Sequence, residues 1–172
     1  MLIGMGFGAQ RMSDGPTDIF PGGKFRTGTL VSKPVADWSF TDGKEVELQL
    51  VEPHGSRIVG VFLHEGQPYI QAELGFISGR FSGLDGAILK AIVFFKRWHE
   101  DALRDGRVIL RLDGMLYERQ AVLESDPEIV AALRLQLEKL AAAAFAPAPL
   151  PEAPTDGPND IWFFRLDPRP AE

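Results

Sequence analysis

Few side chains in this chain of 172 residues are equipped to do chemistry. Cysteine is absent, which removes disulfides, thiolate metal sites, iron–sulfur clusters and a cysteine nucleophile. The histidines are His54, His64 and His99, and no two of them have the helical or tight-loop spacing of metal ligands. His99 carries an imidazole suited to proton transfer near neutrality, although a helical histidine beside Glu100 serves equally as a structural or solvated residue. Arg57 either offers its planar fork to anionic oxygens or sits solvated at a strand end beside the turn at Pro53-His54-Gly55. Lys96-Arg97 either extend such an anion site or complement the dipole near a helix C-terminus, which needs no ligand. Arg107 and Arg111 share a strand face with Ile109 and Asp113, bordering a groove or making a charge-balanced exposed face. The glycine-rich run 75–86 (GFISGRFSGLDG) has neither P-loop nor dinucleotide-fold spacing and reads as a flexible loop, a candidate cover for a ligand. No nucleophile-elbow motif supports Ser/His/Asp catalysis.

The elements that would position these residues are mostly strands. Lys24–Val31 alternates, Val35–Phe40 puts Trp38 and Phe40 on one face, and Glu45–Val51 alternates Val46, Leu48 and Leu50 against Glu45, Glu47 and Gln49. Arg57–Leu63 and Pro68–Ala72 flank Glu65-Gly66, and Arg107–Leu112 and Met115–Leu123 flank Asp113-Gly114, the dipeptide a type I′ turn favours. At least six strands joined by tight turns predict an antiparallel sheet that closes or folds over. A helix is expected over Asp85–Arg104, apolar nearly all round at 92–95, with Gly106 just past its end. A second begins at Ser125-Asp126-Pro127-Glu128, with Ile129, Leu133, Leu137 and Leu140 as its stripe. The Ala/Pro-rich stretch 141–160 reads as a solvated linker, and Ile161–Leu166 (IWFFRL) as a late strand returning to the body. Residues 1–23 then form an N-terminal extension, 24–140 the main domain, and 161–172 the returning strand and tail.

This order of elements, with KRWHEDALRDGRVILRLDGMLYERQAV (96–122) at its centre and Trp98–Tyr117 as its most characteristic part, resembles the FMN-binding split barrels related to pyridoxamine 5′-phosphate oxidase and their deazaflavin-using nitroreductase cousins. The likeness runs from about Lys24 to Leu140, and PVADWSF (34–40) and IWFFRLDPR (161–169) look like those of an uncharacterised bacterial branch. It implies a mainly β protein with helices (α+β), a six-stranded antiparallel split β-barrel of flavin-binding type. It also implies a homodimer with FMN or a deazaflavin in a groove between subunits, and an oxidoreductase acting on a small organic substrate. Carried over, Arg57 begins the strand where such proteins often hold phosphate, Tyr69 and Gln71 lie on the paired strand, and Lys96, Arg97, Trp98 and His99 occupy the helix end bordering the groove. In that role Trp98 with Tyr69 would wall the flavin ring; otherwise Trp98 is core or dimer-interface mass. The arginine and lysine five residues apart that the family carries on its phosphate strand are missing here, since Arg57 leads into an apolar run ending at His64. That departure favours an alternative, a ligand-binding or interaction module without a cofactor. A further alternative is a haem or tetrapyrrole protein with His99 or His64 as axial ligand.

Composition bounds these readings. At 45% apolar and 24% charged the chain is ordinary for a globular protein, and a domain near this size buries roughly 70% of its unfolded surface. A formal net charge of −6 disfavours a general nucleic-acid binder. Met1–Gln10 (MLIGMGFGAQ) is apolar but too short to cross a bilayer, which takes about 20 residues. It reads as a loose extension, or as the stump of an upstream membrane anchor, and a cytoplasmic location is expected.

Overall fold

The computed structural model describes residues 13–16, 21–73, 98–144 and 161–170. Seven strands form one sheet: β1 (Thr29–Leu30), β2 (Glu45–Leu50), β3 (Gly55–His64), β4 (Gln67–Glu73), β5 (Arg107–Leu112), β6 (Met115–Leu123) and β7 (Ile161–Pro168). Six of them close on themselves in the order β2–β3–β4–β7–β6–β5 and back to β2, every neighbour antiparallel. Closure leaves these strands with little free edge. The seam is β7, which pairs with β4 through Ile70↔Phe164 and with β6 through Ala121↔Leu166. IWFFRL returns because both faces of this strand are needed: Phe164 and Leu166 fill the barrel, while Phe163 packs outside it.

Two tight turns set the hairpin registers. Asp113 and Gly114 have φ of 50° and 75°, and Glu65 and Gly66 have 51° and 79°, the consecutive positive φ of a type I′ loop. The interior is filled by alternate residues of each strand, among them Leu48, Leu50, Val61, Ile70, Val108, Leu110, Phe164 and Leu166, all at most 1% exposed. Burying each of these side chains contributes about 1.5–3 kcal/mol. Helix α1 (Trp98–Arg104) adds Trp98 and Ala102 to this core, and lies against β2 and β6 where β5 begins. Helix α2 (Pro127–Ala144) covers the outside, laying Leu133, Ile129, Val130 and Leu137 on Phe62, Tyr69 and Phe163. Its start is held by Asp126, whose carboxylate accepts the Glu128 N–H at 2.8 Å, with Pro127 in the first turn.

Three stretches differ from the sequence reading. Of Lys24–Val31 only Thr29–Leu30 is strand, running parallel to β6 beside Met115 and Leu116. Residues 21–28 form no strand; they meet the sheet through a single bridge, Gly22 to Ser56 at the edge of β3 that β4 leaves uncovered, and lie across the barrel as a strap. Gly22 exchanges backbone bonds with Ser56 (2.8 and 3.0 Å), and the Phe25 N–H donates to the Gln49 side chain at 2.5 Å. Val35–Phe40 is not a strand but leads into a 3-10 turn at Ser39–Thr41, where Trp38 O accepts from the Thr41 N–H (2.9 Å) and hydroxyl (2.7 Å). Finally, α2 runs through Ala141–Ala144, four residues into the stretch read as linker, as alanine's helix propensity favours. The expected helix over 85–97, the glycine-rich loop 75–86 and the linker 145–160 lie outside the described residues. Among the described residues no helix is long and apolar enough to cross a membrane.

Candidate functional site

Arg57 faces the barrel interior. It pairs in register with Leu48, which pairs in turn with Leu110, and residues directly opposite in a ladder share a face. The inward positions of β3 are thus Arg57, Val59 and Val61, while Ile58 and Phe62 face outward. Its guanidinium carbon lies 5.3 Å from the ring centroid of Trp98, and its Nε is buried with no hydrogen-bond partner. The carboxylate whose charge reaches it is Asp101, one turn along α1 from Trp98, and Asp101 is already bonded to Arg104. Burial pulls the Arg57 guanidinium down to about 9, against a weaker opposing pull from Asp101, so it stays cationic at neutral pH. The contact with Trp98 engages the charge, and the buried Nε–H remains a donor available to an acceptor.

Trp98 is 5% exposed and contacts both Arg57 and Phe164, the latter with its ring centroid 5.6 Å away. His99 is 4% exposed and meets Trp162 edge-on at 4.9 Å. Arg57, Trp98 and His99 are therefore brought together at the α1 end of the barrel. Tyr69 and Gln71 are not, because they alternate with the inward Ile70 and Ala72 and point outward. Tyr69 is buried beneath α2 and its hydroxyl donates to the Glu124 carboxylate at 3.4 Å; burial first, then the Glu124 charge, raises its pKa. Gln71 has a buried Oε1 without a partner. His64 lies at the end of β3, its ring 6.5 Å from that of Tyr69. Lys96 and Arg97 fall outside the described residues.

The remaining arginines of the sequence reading are engaged. Arg107 is bonded to Asp105 at 2.7 Å. Arg111 clasps the strap, with Asp14 at 2.8 Å, Glu47 in contact, and the Phe25 ring 4.3 Å below the guanidinium. Beside this clasp an open groove of about 280 Å³ runs over the outer wall past Glu45, Ile58 and Asp113.

Arg119 was not singled out from sequence. It follows Tyr117 and precedes Ala121 on the inward face of β6, opposite Val108, and is 8% exposed. A cation on the core-facing register of a strand is the signal that would have found it. Its guanidinium carbon lies 4.3 Å from the Trp38 ring, and its Nε too is buried without a partner. Among the described residues no three His, Asp or Glu side chains gather as a metal site. Among the described residues, the inward positions of the strands hold the cations Arg57 and Arg119 and no carboxylate.

A flavin's anionic tail fits this arrangement better than its ring does. The unpartnered Nε–H of Arg57 suits a phosphate, whereas Trp98 is buried in the core and Tyr69 lies on the other side of the wall. No protein-family model, curated protein or solved structure matches the chain.

Proposed function

We propose that this protein is a split-barrel binding module for a small anionic molecule, which docks at the α1 end of the barrel with its anionic group on Arg57, and that this molecule is a flavin-type cofactor, FMN or a deazaflavin. The observation that carries the reading is the state of Arg57: a cation facing a barrel interior, 5.3 Å over the Trp98 ring, with a buried Nε and no acceptor among the described residues. Leaving such a donor unsatisfied costs about 1–3 kcal/mol, which a bound oxyanion would recover. The flavin assignment is supported by the sequence likeness and by the closed six-stranded antiparallel barrel. A flavin would supply hydride transfer, making the protein an oxidoreductase on a small organic substrate; the chain's part is to hold and orient it. Lys96 and Arg97, next to Trp98 in sequence, would add charge for the phosphate. The homodimer implied by the likeness belongs to the same proposal.

A second reading is a barrel without cofactor, acting as a ligand-binding or interaction module. What favours it is Trp98, buried in the core against Arg57 and Phe164 and so withdrawn from a flavin ring. Titration of the full chain with FMN, a deazaflavin and riboflavin, followed by absorbance and fluorescence, separates the two. The first reading predicts that FMN or the deazaflavin binds and that riboflavin, lacking the phosphate, binds at least tenfold more weakly. No binding of either phosphorylated flavin at high micromolar concentration overturns it and leaves the second.

A further inference from the structure

The barrel interior carries a second unspent arginine, Arg119, which meets Trp38 rather than Trp98. β2 begins where β3 and β5 end, and Trp38 sits at that end, since the turn that follows it bonds to β3 through Gly43 N–H and Val61 O at 3.1 Å. Trp38 packs over Arg119 and belongs to an aromatic group: Phe40 stacks on it at 5.6 Å and 25°, and Tyr117 meets it edge-on at 5.4 Å. Phe40 is 37% exposed, so this group reaches from the buried guanidinium to solvent. The carboxylate whose charge reaches Arg119 is Asp167, and Asp167 is already bonded to Arg165 at 2.7 Å and approached by the Gln67 amide at 3.4 Å.

We infer that the Arg119–Trp38–Phe40–Tyr117 cluster is a second binding site, one for a monocarboxylate on an aromatic body. Arg119 is more than nine-tenths buried and its Nε–H lacks an acceptor among the described residues, so it is an unsatisfied donor beside these rings. One guanidinium supplies one positive charge and a planar fork, which matches a carboxylate. A dianionic phosphate, more strongly hydrated, needs further donors that an aromatic surround does not give. The rings of Phe40 and Tyr117 offer edge and face contacts to an aromatic body. The site differs from the Arg57 end in place, residues and ligand, and does not depend on the flavin reading.

Calorimetric titration of the full chain with benzoate, benzamide and inorganic phosphate tests it, with tryptophan fluorescence as a second readout. Benzoate is expected to bind and to change the fluorescence, while benzamide, the uncharged isostere, and phosphate each bind at least tenfold more weakly. Arg119→Met is expected to weaken benzoate at least tenfold, and Phe40→Ala, a change at a partly exposed ring, to weaken it severalfold. Equal binding of benzoate and benzamide, no benzoate binding at millimolar concentration, phosphate binding tighter than benzoate, or undiminished binding by Arg119→Met would each overturn the inference. Should Arg119→Met not fold, the wild-type contrast between benzoate and benzamide and the Phe40→Ala result decide alone.

Discussion

Arg57→Met removes the charge and keeps most of the side chain's length, and it should make the protein more stable. Burial lowers the guanidinium from its ordinary value to about 9. At about 1.4 kcal/mol per pKa unit, holding the charge inside the barrel costs roughly 5 kcal/mol. The contact with Trp98 returns about 1–2 kcal/mol of this, and the part of the side chain still touching solvent reduces the cost further. Methionine adds apolar packing against Trp98 and Leu48. A net gain of about 1–3 kcal/mol follows, in line with replacements of buried charges by apolar residues elsewhere. Urea unfolding followed by tryptophan fluorescence measures it. The pH dependence has a definite sign. Because the folded pKa is depressed, the unfolded chain binds this proton more tightly, so wild-type stability rises above about pH 9 relative to the variant. The variant's advantage should therefore be full at pH 7 and shrink above pH 9. A variant destabilised by more than 1 kcal/mol at pH 7 would refute the reasoning, since it would mean Arg57 is satisfied in the folded protein. The same variant should lose FMN binding, so that stability and binding move in opposite directions.

Other positions give independent checks. Phe164→Ala, at a residue with no exposed surface that packs on Trp98, should lose about 3–5 kcal/mol in the same unfolding assay. Arg111→Ala removes the clasp joining Asp14, Glu47 and Phe25; it should lose about 2 kcal/mol and speed proteolysis within residues 21–28, and an unchanged cleavage rate would contradict the strap. The Thr27 hydroxyl, then the Arg26 N–H and Arg111, hold the Asp14 carboxyl well below the usual carboxylate range. Its stabilisation is thus present above about pH 4 and lost on going below it, so Asp14→Asn should be the less stable protein at pH 6 and converge on wild type in strong acid. Curves parallel from pH 6 down to pH 2 would contradict this.

Much of the barrel is legible in the chain because its signals are local. Asp113-Gly114 announces its turn, Val46, Leu48 and Leu50 announce an inward face, and a run as apolar as IWFFRL has to return to the core. The strap and the 3-10 turn were hidden because alternation in Lys24–Val31 and Val35–Phe40 describes a strand only if an edge is free, and the closed sheet leaves little of one. The site was harder for a related reason. In β3 both faces are apolar, since Val59 and Val61 fill the barrel while Phe62 meets α2, so no pattern says which way Arg57 points. Tyr69 and Gln71 separate from Arg57 for the same cause: a strand's two faces look alike when a helix covers the outer one. Arg119 was legible in principle, as a cation in phase with the inward Ala121.

The edge of the Arg57 guanidinium is where the account meets its most direct measurement. The Nε–H resonance of Arg57 in a nitrogen-15 spectrum, identified by its loss in Arg57→Met, should shift and saturate as FMN is added, and stay in place with riboflavin at the same concentration. A resonance that moves with neither compound would contradict the claim that the barrel holds this arginine for an anion.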